Sequence, residues 1–229
     1  MGYKISIDGP SGSGKGFLAS TVAKKIGYLY IDTGAMYRAF GLYVSKNNID
    51  LNDEEKIKEA MNKVSIDFTY DENNNLRTYL NGKDVSDEIR TEQVGMLASV
   101  VSAVPYVRHD MIERQRKLAG KNNVIMEGRD IGSVVFKDAE LKIFLTASIE
   151  ERAKRRFHDL LDKGRKVTYG EVLEIMKKRD EQDLTKEISP LVKTDDMIEI
   201  DTTFMSKDEV IDKVIELVKK KGLVWKKLN

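Results

Sequence analysis

Short apolar runs alternate along this chain with segments in which apolar residues recur every three or four positions. The stretch Lys4-Ile5-Ser6-Ile7-Asp8 alternates between polar and apolar residues, and Leu18, Val22 and Ile26 then fall on one face of a helix. Further short strands are predicted at 28–31, 123–126, 141–145 and 197–200. Because strands that alternate with helices are typical of a doubly wound parallel sheet, we predict an α/β fold with five parallel strands and helices on both faces.

The pattern changes between residues 51 and 89. Three short strands are predicted there, at 66–70, 76–80 and 83–85, and Asn81-Gly82 between the last two is a strong hairpin signal. We therefore predict a small antiparallel insert. Residues 90–117 return to a helical pattern, which we expect to break near Pro105 because proline lacks the N–H that a helix interior needs.

Several helix ends can be predicted from single residues. Gly27 is placed to end the first helix in a left-handed conformation, and Gly164 to end a later one. A Ser or Thr followed three residues later by Glu predicts a capping box, and three such pairs begin helices: Ser148/Glu151, Thr168/Glu171 and Ser206/Glu209.

Composition narrows the function classes. The 229 residues are 41% hydrophobic and 34% charged, with a formal net charge of +1, so bulk electrostatic binding to nucleic acid or an anionic membrane is disfavoured. The absence of cysteine excludes disulfides and thiolate metal sites, and two histidines are too few for a histidine metal cluster. With no membrane-length apolar run and no signal peptide before the first strand, we expect a cytoplasmic protein.

The C-terminal stretch 219–227 is rich in lysine and contains Trp225. Such a segment can contact nucleic acid or lipid. Given the near-neutral chain, we expect a solvated helix end with Trp225 packed back onto the protein.

The strongest chemical signal follows the first strand. Gly9-Pro10-Ser11-Gly12-Ser13-Gly14-Lys15 matches the phosphate-binding loop, in which glycines let backbone N–H groups converge on an anion and the lysine reaches the outer phosphates. A glycine-rich surface turn beside a solvated lysine is the plainer alternative. The Ser or Thr expected after the lysine is Gly16, followed by Phe17, so any Mg²⁺ must rely on nucleotide oxygens, water and another side chain.

Four segments together resemble the bacterial cytidylate kinase family of nucleoside monophosphate kinases. They are the loop with its flanks at 7–16, Asp32-Thr33-Gly34-Ala35-Met36-Tyr37-Arg38, Glu127-Gly128-Arg129-Asp130-Ile131-Gly132, and Arg179-Asp180-Glu181-Gln182-Asp183 followed by Pro190-Leu191. The resemblance spans essentially the whole chain. It implies a P-loop kinase with strand order 2-3-1-4-5, a core at about 1–48, 90–150 and 188–229, a nucleotide-binding insert at about 49–89 and a helical lid at about 151–187.

The implied reaction is Mg²⁺-dependent transfer of the ATP γ-phosphoryl group to CMP or dCMP by a monomer that binds neither nucleic acid nor membranes. The resemblance implies roles for three groups of residues. Catalytic roles fall to Lys15, Arg129, Arg152, Arg155 and Arg179. ATP phosphates would be bound by Gly9, Pro10, Ser11, Gly12, Ser13, Gly14, Lys15, Gly16 and Phe17. CMP would be bound by Thr33, Tyr37, Arg38, Ser99, Arg108, Arg129, Asp130, Arg179 and Asp183. Without a hydroxyl at Phe17, Mg²⁺ would be held either more weakly or by Glu127 through water.

Two positions depart from the family pattern. Phe17 stands where the family commonly has Thr. Lys186 stands where an arginine is usual, so a bidentate phosphate contact at that position would be replaced by contact with a single point charge. The lid arginines have a plainer interpretation as well. Arg152, Arg155 and Arg156 can form an exposed helix face that pairs with Glu150, Glu151 or Asp159.

Other functions stay open at this point. The same fold can phosphorylate UMP, dTMP or a metabolite hydroxyl, for which Asp32 or Glu127 would be the candidate base. A nucleotide-dependent switch or adaptor of the GTPase type is disfavoured because the chain lacks an Asn-Lys-x-Asp segment that reads guanine.

Overall fold

The protein is described from a computed structural model, which covers residues 2–72 and 75–223. Trp225, whose packing onto the protein is predicted, and the rest of residues 224–227 of the basic C-terminal stretch lie outside these residues. The described chain divides into two compact units, one formed by residues 1–31 and 119–229 and the other by residues 32–118.

The first unit contains the five-stranded parallel sheet that the sequence predicts. Its strands are β1 (Lys4–Asp8), β2 (Leu29–Asp32), β6 (Val124–Gly128), β7 (Leu141–Thr146) and β8 (Ile198–Asp201), and its helices are α1 (Lys15–Ile26), α6 (Ile149–Asp162), α7 (Tyr169–Thr185) and α8 (Lys207–Lys220). The order β2-β6-β1-β7-β8 confirms the expected order 2-3-1-4-5. Helices on both faces of the sheet complete the doubly wound arrangement.

The centre of the sheet is apolar, as the buried runs predict. Ile5 on β1 lies opposite Ile125 on β6 and Leu141 on β7, and all three are essentially fully buried. Asp8, at the end of β1, lies opposite Gly128 at the end of β6. Because the strands are parallel, the loops after β1 and β6 leave the sheet at the same edge.

The second unit contains the antiparallel insert and four helices. Its elements are α2 (Thr33–Lys46), α3 (Glu54–Lys63), β3 (Ile66–Tyr70), β4 (Leu76–Leu80), β5 (Lys83–Asp84), α4 (Glu92–Val101) and α5 (Pro105–Ala119). The sheet order β3-β4-β5 and the left-handed Asn81 and Gly82 confirm the predicted hairpin. Phe40, Met61 and Met111 lie in one buried cluster that joins these helices. The helix break at Pro105 is confirmed, since α5 begins there.

Helix α3 and a π-helical turn at Ile131–Val135 were not predicted from the sequence. Both are short, and the π-helical turn depends on contacts from elsewhere in the chain that no local pattern shows.

Most helix ends are as predicted, with one correction. Gly27 is left-handed, and the capping boxes Thr168/Glu171 and Ser206/Glu209 are both complete. The third box is incomplete. Ser148 accepts a hydrogen bond from the Glu151 N–H, but the Glu151 carboxylate pairs with Arg155 one turn along α6 instead of returning to the cap.

The capping box on α7 gives a direct stability test. Thr168→Ala removes the hydroxyl that accepts from the Glu171 N–H, and we expect the free energy of unfolding to fall by about 1 kcal/mol. Urea denaturation measures the change. Glu174→Ala, at an exposed position on the same helix, is the matched control and should change stability by less than about 0.5 kcal/mol. Equal losses for the two variants would contradict the capping role.

Candidate functional site

The loop between β1 and α1 has the backbone that a phosphate-binding loop requires. Gly9, Gly12 and Gly14 all have positive φ, at 148°, 76° and 90°. Two features exclude a side chain at Gly9. Its positive φ disfavours any other residue, and a Cβ there would overlap the carbonyl oxygen of Leu145 on β7. The loop therefore packs tightly against the sheet and leads into the positive end of α1.

Lys15 is buried and lies against its own loop. Its ammonium donates to the Pro10 carbonyl at 2.6 Å and to the Ser13 hydroxyl at 3.3 Å. Burial is the main cause that lowers the pKa of Lys15 below its ordinary value, and the positive charge of Arg129 is the second cause. An anion at this position would stabilise the charged form, so the loop is well suited to receive phosphate.

Gly16 faces two polar side chains. A Cβ at this glycine would lie 3.0 Å from Glu127 Oε1 and 3.6 Å from the Tyr30 hydroxyl. Tyr30 donates to Glu127 Oε1 at 3.1 Å and so helps to orient the carboxylate. The position where a Ser or Thr hydroxyl is usual is thus bordered by Glu127. Among the described residues no group of three or more histidine, cysteine or acidic side chains forms a protein-only metal site.

Phe17, predicted at the ATP phosphates, lies in the first turn of α1 with its ring about half exposed. The Lys207 ammonium at the start of α8 is 4.9 Å from the ring centre. This distance is typical of a cation–π contact, so the ring has a partner on α8.

Arg129 and Asp183 form the central ion pair of the site. Arg129 follows β6, and its Nε is 2.7 Å from Asp183 Oδ2 on α7, while Lys186 Nζ is 3.0 Å from Asp183 Oδ1. Burial alone would raise the pKa of Asp183, but Arg129 and Lys186 outweigh it and hold that pKa well below its usual range. Asp183 therefore carries a full negative charge that fixes Arg129.

Two of the three predicted lid arginines, Arg152 and Arg155, differ in position. Arg152 is buried, donates to the Ser11 carbonyl of the phosphate loop at 3.1 Å, and pairs with Asp180 at 2.6 Å. Arg155 instead donates to the Thr202 carbonyl after β8 at 2.7 Å and pairs with Glu151. The structure thus brings Arg152 to the phosphate loop, whereas Arg155 contacts the loop after β8. Arg179 lies on α7 beside Asp180.

The second unit brings together its own subset of the predicted residues. Asp32 caps α2 by accepting from the Ala35 N–H at 2.8 Å, and its other oxygen is 2.9 Å from Arg38 Nη2. The guanidinium of Arg108 lies over the ring of Tyr37, at 5.3 Å from its centre, and both residues are buried. Thr33 is buried at the start of α2, and Ser99 is half-buried on α4.

Sequence reasoning missed three polar residues at this edge of the sheet. Tyr30 orients Glu127, Asp180 pairs with Arg152, and Asp8 accepts two backbone hydrogen bonds from Ile131 and Gly132. Asp8 directly precedes the phosphate loop, and an acidic residue at the end of a buried strand was the signal available. Its partners, more than 120 residues away, were not evident from the sequence.

The Arg129–Asp183 pair can be tested by comparing the stability of Asp183→Asn with that of the unaltered protein across pH. Asp183→Asn leaves Arg129 without its charged partner, and we expect a loss of about 3 kcal/mol at neutral pH. Because the folded pKa of Asp183 lies below its unfolded value of about 3.9, its contribution is complete above that value and is lost as pH falls through the folded pKa. Urea denaturation should therefore show the two proteins converging below about pH 4. A difference that stays constant down to low pH would contradict this assignment.

Comparisons with known proteins agree with the geometry. The profile of the cytidylate kinase family matches residues 5–220. A cytidylate kinase from Caldanaerobacter subterraneus subsp. tengcongensis is 49% identical over 217 residues, covering 95% of each chain. Another from Lactobacillus johnsonii is 47% identical over 218 residues, covering 95% of this chain and 94% of that one.

Among solved structures, an uncharacterized protein from Eubacterium ventriosum covers 96% of this chain and 99% of its own, with a TM-score of 0.51 and 15% sequence identity. That likeness shows a shared fold alone. The match across residues 5–220 and the identity to the named relatives decide the family: the chain belongs to the cytidylate kinase family.

Proposed function

We propose that this protein transfers the γ-phosphoryl group of ATP to CMP or dCMP, forming ADP and CDP or dCDP. The observation that carries the proposal is the match to the cytidylate kinase family across residues 5–220, a span that contains every predicted nucleotide-binding segment. The phosphate loop and the arginines near it support it independently.

The acceptor in this reaction needs no general base. A phosphate monoester has a second pKa near about 6 and is largely a dianion at neutral pH, so its oxygen is already a nucleophile. Asp32, the alternative candidate base, has both carboxylate oxygens engaged: one caps α2 and the other pairs with Arg38. These contacts are consistent with a reaction that needs no base. The protein's task is to align two anions and to stabilise the charge on the transferring group.

Lys15 and the loop N–H groups would hold the donor phosphates. To do so, the Lys15 ammonium would exchange the Pro10 carbonyl for phosphate oxygens. Arg152, which already contacts the loop at Ser11, is the lid arginine best placed to join it. Residues 9–17, Phe17 included, form the proposed ATP phosphate site, and Arg155 is the second lid arginine of the proposal.

The acceptor would be bound by its phosphate and its base. We assign the CMP phosphate to Arg38, Arg129 and Arg179, whose planar groups can bind phosphate through two parallel hydrogen bonds. Asp130 would accept from the cytosine 4-amino group, where uracil presents an oxygen and would be repelled. The remaining proposed contacts with CMP come from Thr33, Tyr37, Ser99, Arg108 and Asp183.

Glu127 fits a magnesium ion that arrives with ATP. Its carboxylate borders Gly16 at the start of α1 and is oriented by Tyr30, and carboxylates with water ligands suit Mg²⁺. When bound, the ion would neutralise charge on the β- and γ-phosphates. We propose that Glu127 holds it through a water molecule.

We further propose that the protein acts in the cytoplasm as a monomer on small molecules alone. The near-zero net charge supports the exclusion of nucleic acid and anionic membranes as partners. None of the helices in the described ranges has the length and hydrophobicity needed to span a bilayer.

A scan of acceptors tests the proposal most simply. Purified protein with ATP and Mg²⁺ should release ADP rapidly with CMP and dCMP and far more slowly with UMP, dTMP or small alcohols. Equal rates with every acceptor, or transfer to UMP alone, would overturn the proposed substrate. Slow GTP hydrolysis without transfer to CMP would favour a nucleotide-dependent switch.

Base recognition by Asp130 predicts a specific change. Asp130→Asn replaces an acceptor pair with an amide that can also donate to the uracil oxygen, so we expect the CMP over UMP ratio of kcat/KM to fall by about tenfold. Steady-state kinetics with both acceptors measure the ratio. Asp138→Asn, at an exposed position in the same region, is the control and should leave the ratio intact. An intact ratio in the Asp130 variant would remove Asp130 from base recognition.

Replacing Phe17, the residue after Gly16, should change how the reaction rate depends on magnesium concentration. Phe17→Thr supplies a hydroxyl near the phosphate loop, and we expect the Mg²⁺ concentration for half-maximal rate to fall. Phe17→Leu removes the ring without supplying a hydroxyl and separates this effect from loss of the Lys207 contact. If the Mg²⁺ dependence is unchanged, or if both variants behave alike, the hydroxyl account is wrong.

A further inference from the structure

Asp8 is a fully buried carboxylate to which the proposed reaction gives no direct task. It is the last residue of β1 and directly precedes the phosphate loop. Both oxygens accept backbone hydrogen bonds, Oδ1 from the Ile131 N–H at 2.8 Å and Oδ2 from the Gly132 N–H at 2.7 Å. The side chain therefore joins the end of one strand to the loop that follows its neighbour.

The two N–H groups begin the π-helical turn Ile131–Val135. A helical turn leaves its first N–H groups without partners inside the turn, and the preceding residue commonly caps them with its own side chain. That residue here is Asp130, whose side chain makes no capping hydrogen bond. Asp8 caps the turn instead, so the carboxylate of Asp130 is not required for that purpose.

The turn is also held closely against β1. A Cβ at Gly132 would lie 2.6 Å from the Ser6 hydroxyl and 3.0 Å from Met197 Cε, so the backbone has little room to shift. Arg129 and Asp130 lie between the end of β6 and this anchored turn. A segment of two residues fixed at both ends has few conformations available, and its side chains are positioned accordingly.

The buried charge has an energetic cost that this role can explain. Burial raises the pKa of Asp8 to about 7, against the lowering effect of the Gly132 and Ile131 N–H groups. The charge of Asp130 contributes to this raised pKa, and Lys15 opposes it. An asparagine would avoid the charge, but its amide group could accept from one of the two N–H donors and would meet the other with a donor of its own.

We propose that Asp8 is a positioning residue for recognition of the acceptor nucleotide: by capping the turn after Asp130, it holds Arg129 and Asp130 in place. The inference rests on the proposed function, since it assigns Asp8 to the acceptor side of that reaction. Asp8 thus has a role in acceptor recognition that differs from the role of the phosphate loop, although the two are adjacent in sequence.

Asp8→Asn in the full chain is the test, with three measurements. We expect kcat/KM for CMP to fall by about ten- to a hundredfold and the CMP over UMP ratio to shrink by at least about fivefold. The dissociation constant for ATP in the absence of acceptor should change by less than about threefold, because the proposed defect lies in the acceptor loop.

Ile7→Val is the matched control, because Ile7 is equally buried on the same strand and its hydrocarbon side chain cannot accept a hydrogen bond from the turn. It should lower the melting temperature without changing the CMP over UMP ratio. If Asp8→Asn also leaves the ratio unchanged, or if it weakens ATP binding while sparing CMP, Asp8 serves general stability or the phosphate loop and the proposal is overturned.

Combining Asp8→Asn with Asp130→Asn tests the route of the effect. If Asp8 acts through Asp130, the double variant should have about the same CMP over UMP ratio as Asp130→Asn alone. Multiplicative effects of the two changes would contradict the inference.

A measurement on the unaltered protein keeps the proposal falsifiable if Asp8→Asn does not fold. The Ile131 and Gly132 N–H groups should exchange with deuterium as slowly as those of β1, since a buried carboxylate accepts from both. Exchange as fast as in an exposed loop would refute the cap. This result is independent of the acceptor scan, so failure of the proposed function and failure of the cap are distinguishable.

Discussion

The structure depends on holding several positive charges together at one edge of a parallel sheet. Lys15, Arg129 and Arg152 all lie in the first unit near the phosphate loop, and the charge of Arg129 contributes to the lowered pKa of Lys15. Like charges at close range destabilise a fold unless carboxylates or an anion offset them. Here Asp183 pairs with Arg129, and Asp180 pairs with Arg152. Both acidic residues lie on α7, so one helix stabilises cations from two other segments.

This arrangement links stability to chemistry. Cations fixed by buried and partly buried carboxylates are already oriented before an anion arrives, which reduces the reorganisation needed during phosphoryl transfer. Arg38 in the second unit follows the same rule, because Asp32 both caps its helix and pairs with its guanidinium. Asp8 extends the rule to the backbone, where it holds the turn after Asp130 and so limits the positions that Arg129 and Asp130 can adopt.

Features encoded within a few residues were predictable from the sequence. The glycines of the phosphate loop, the Asn81-Gly82 hairpin and the Thr168/Glu171 box each involve neighbouring residues, and the structure contains all three. The Ser148/Glu151 box, predicted by the same rule, is only half formed: Ser148 accepts from the Glu151 N–H, but Arg155 one turn away pairs with the Glu151 carboxylate.

Contacts between distant segments were not predictable in this way. The hydrogen bonds from Ile131 and Gly132 to Asp8 span more than 120 residues, and the pair between Arg129 and Asp183 spans 54. No local pattern indicates which carboxylate a given arginine will meet. The resemblance to a family supplied the residues proposed to bind nucleotide, whereas the fold was needed to find the carboxylates that contact several of them.

Fixed cations should direct a phosphoryl group from one nucleotide to another and exclude water as acceptor. This is tested most directly by a single-turnover reaction with ATP labelled at the γ-phosphate, CMP and Mg²⁺, followed by separation of the products. Nearly all of the transferred label should appear in the β-phosphate of CDP. Label released mainly as inorganic phosphate, with CMP unchanged, would contradict it.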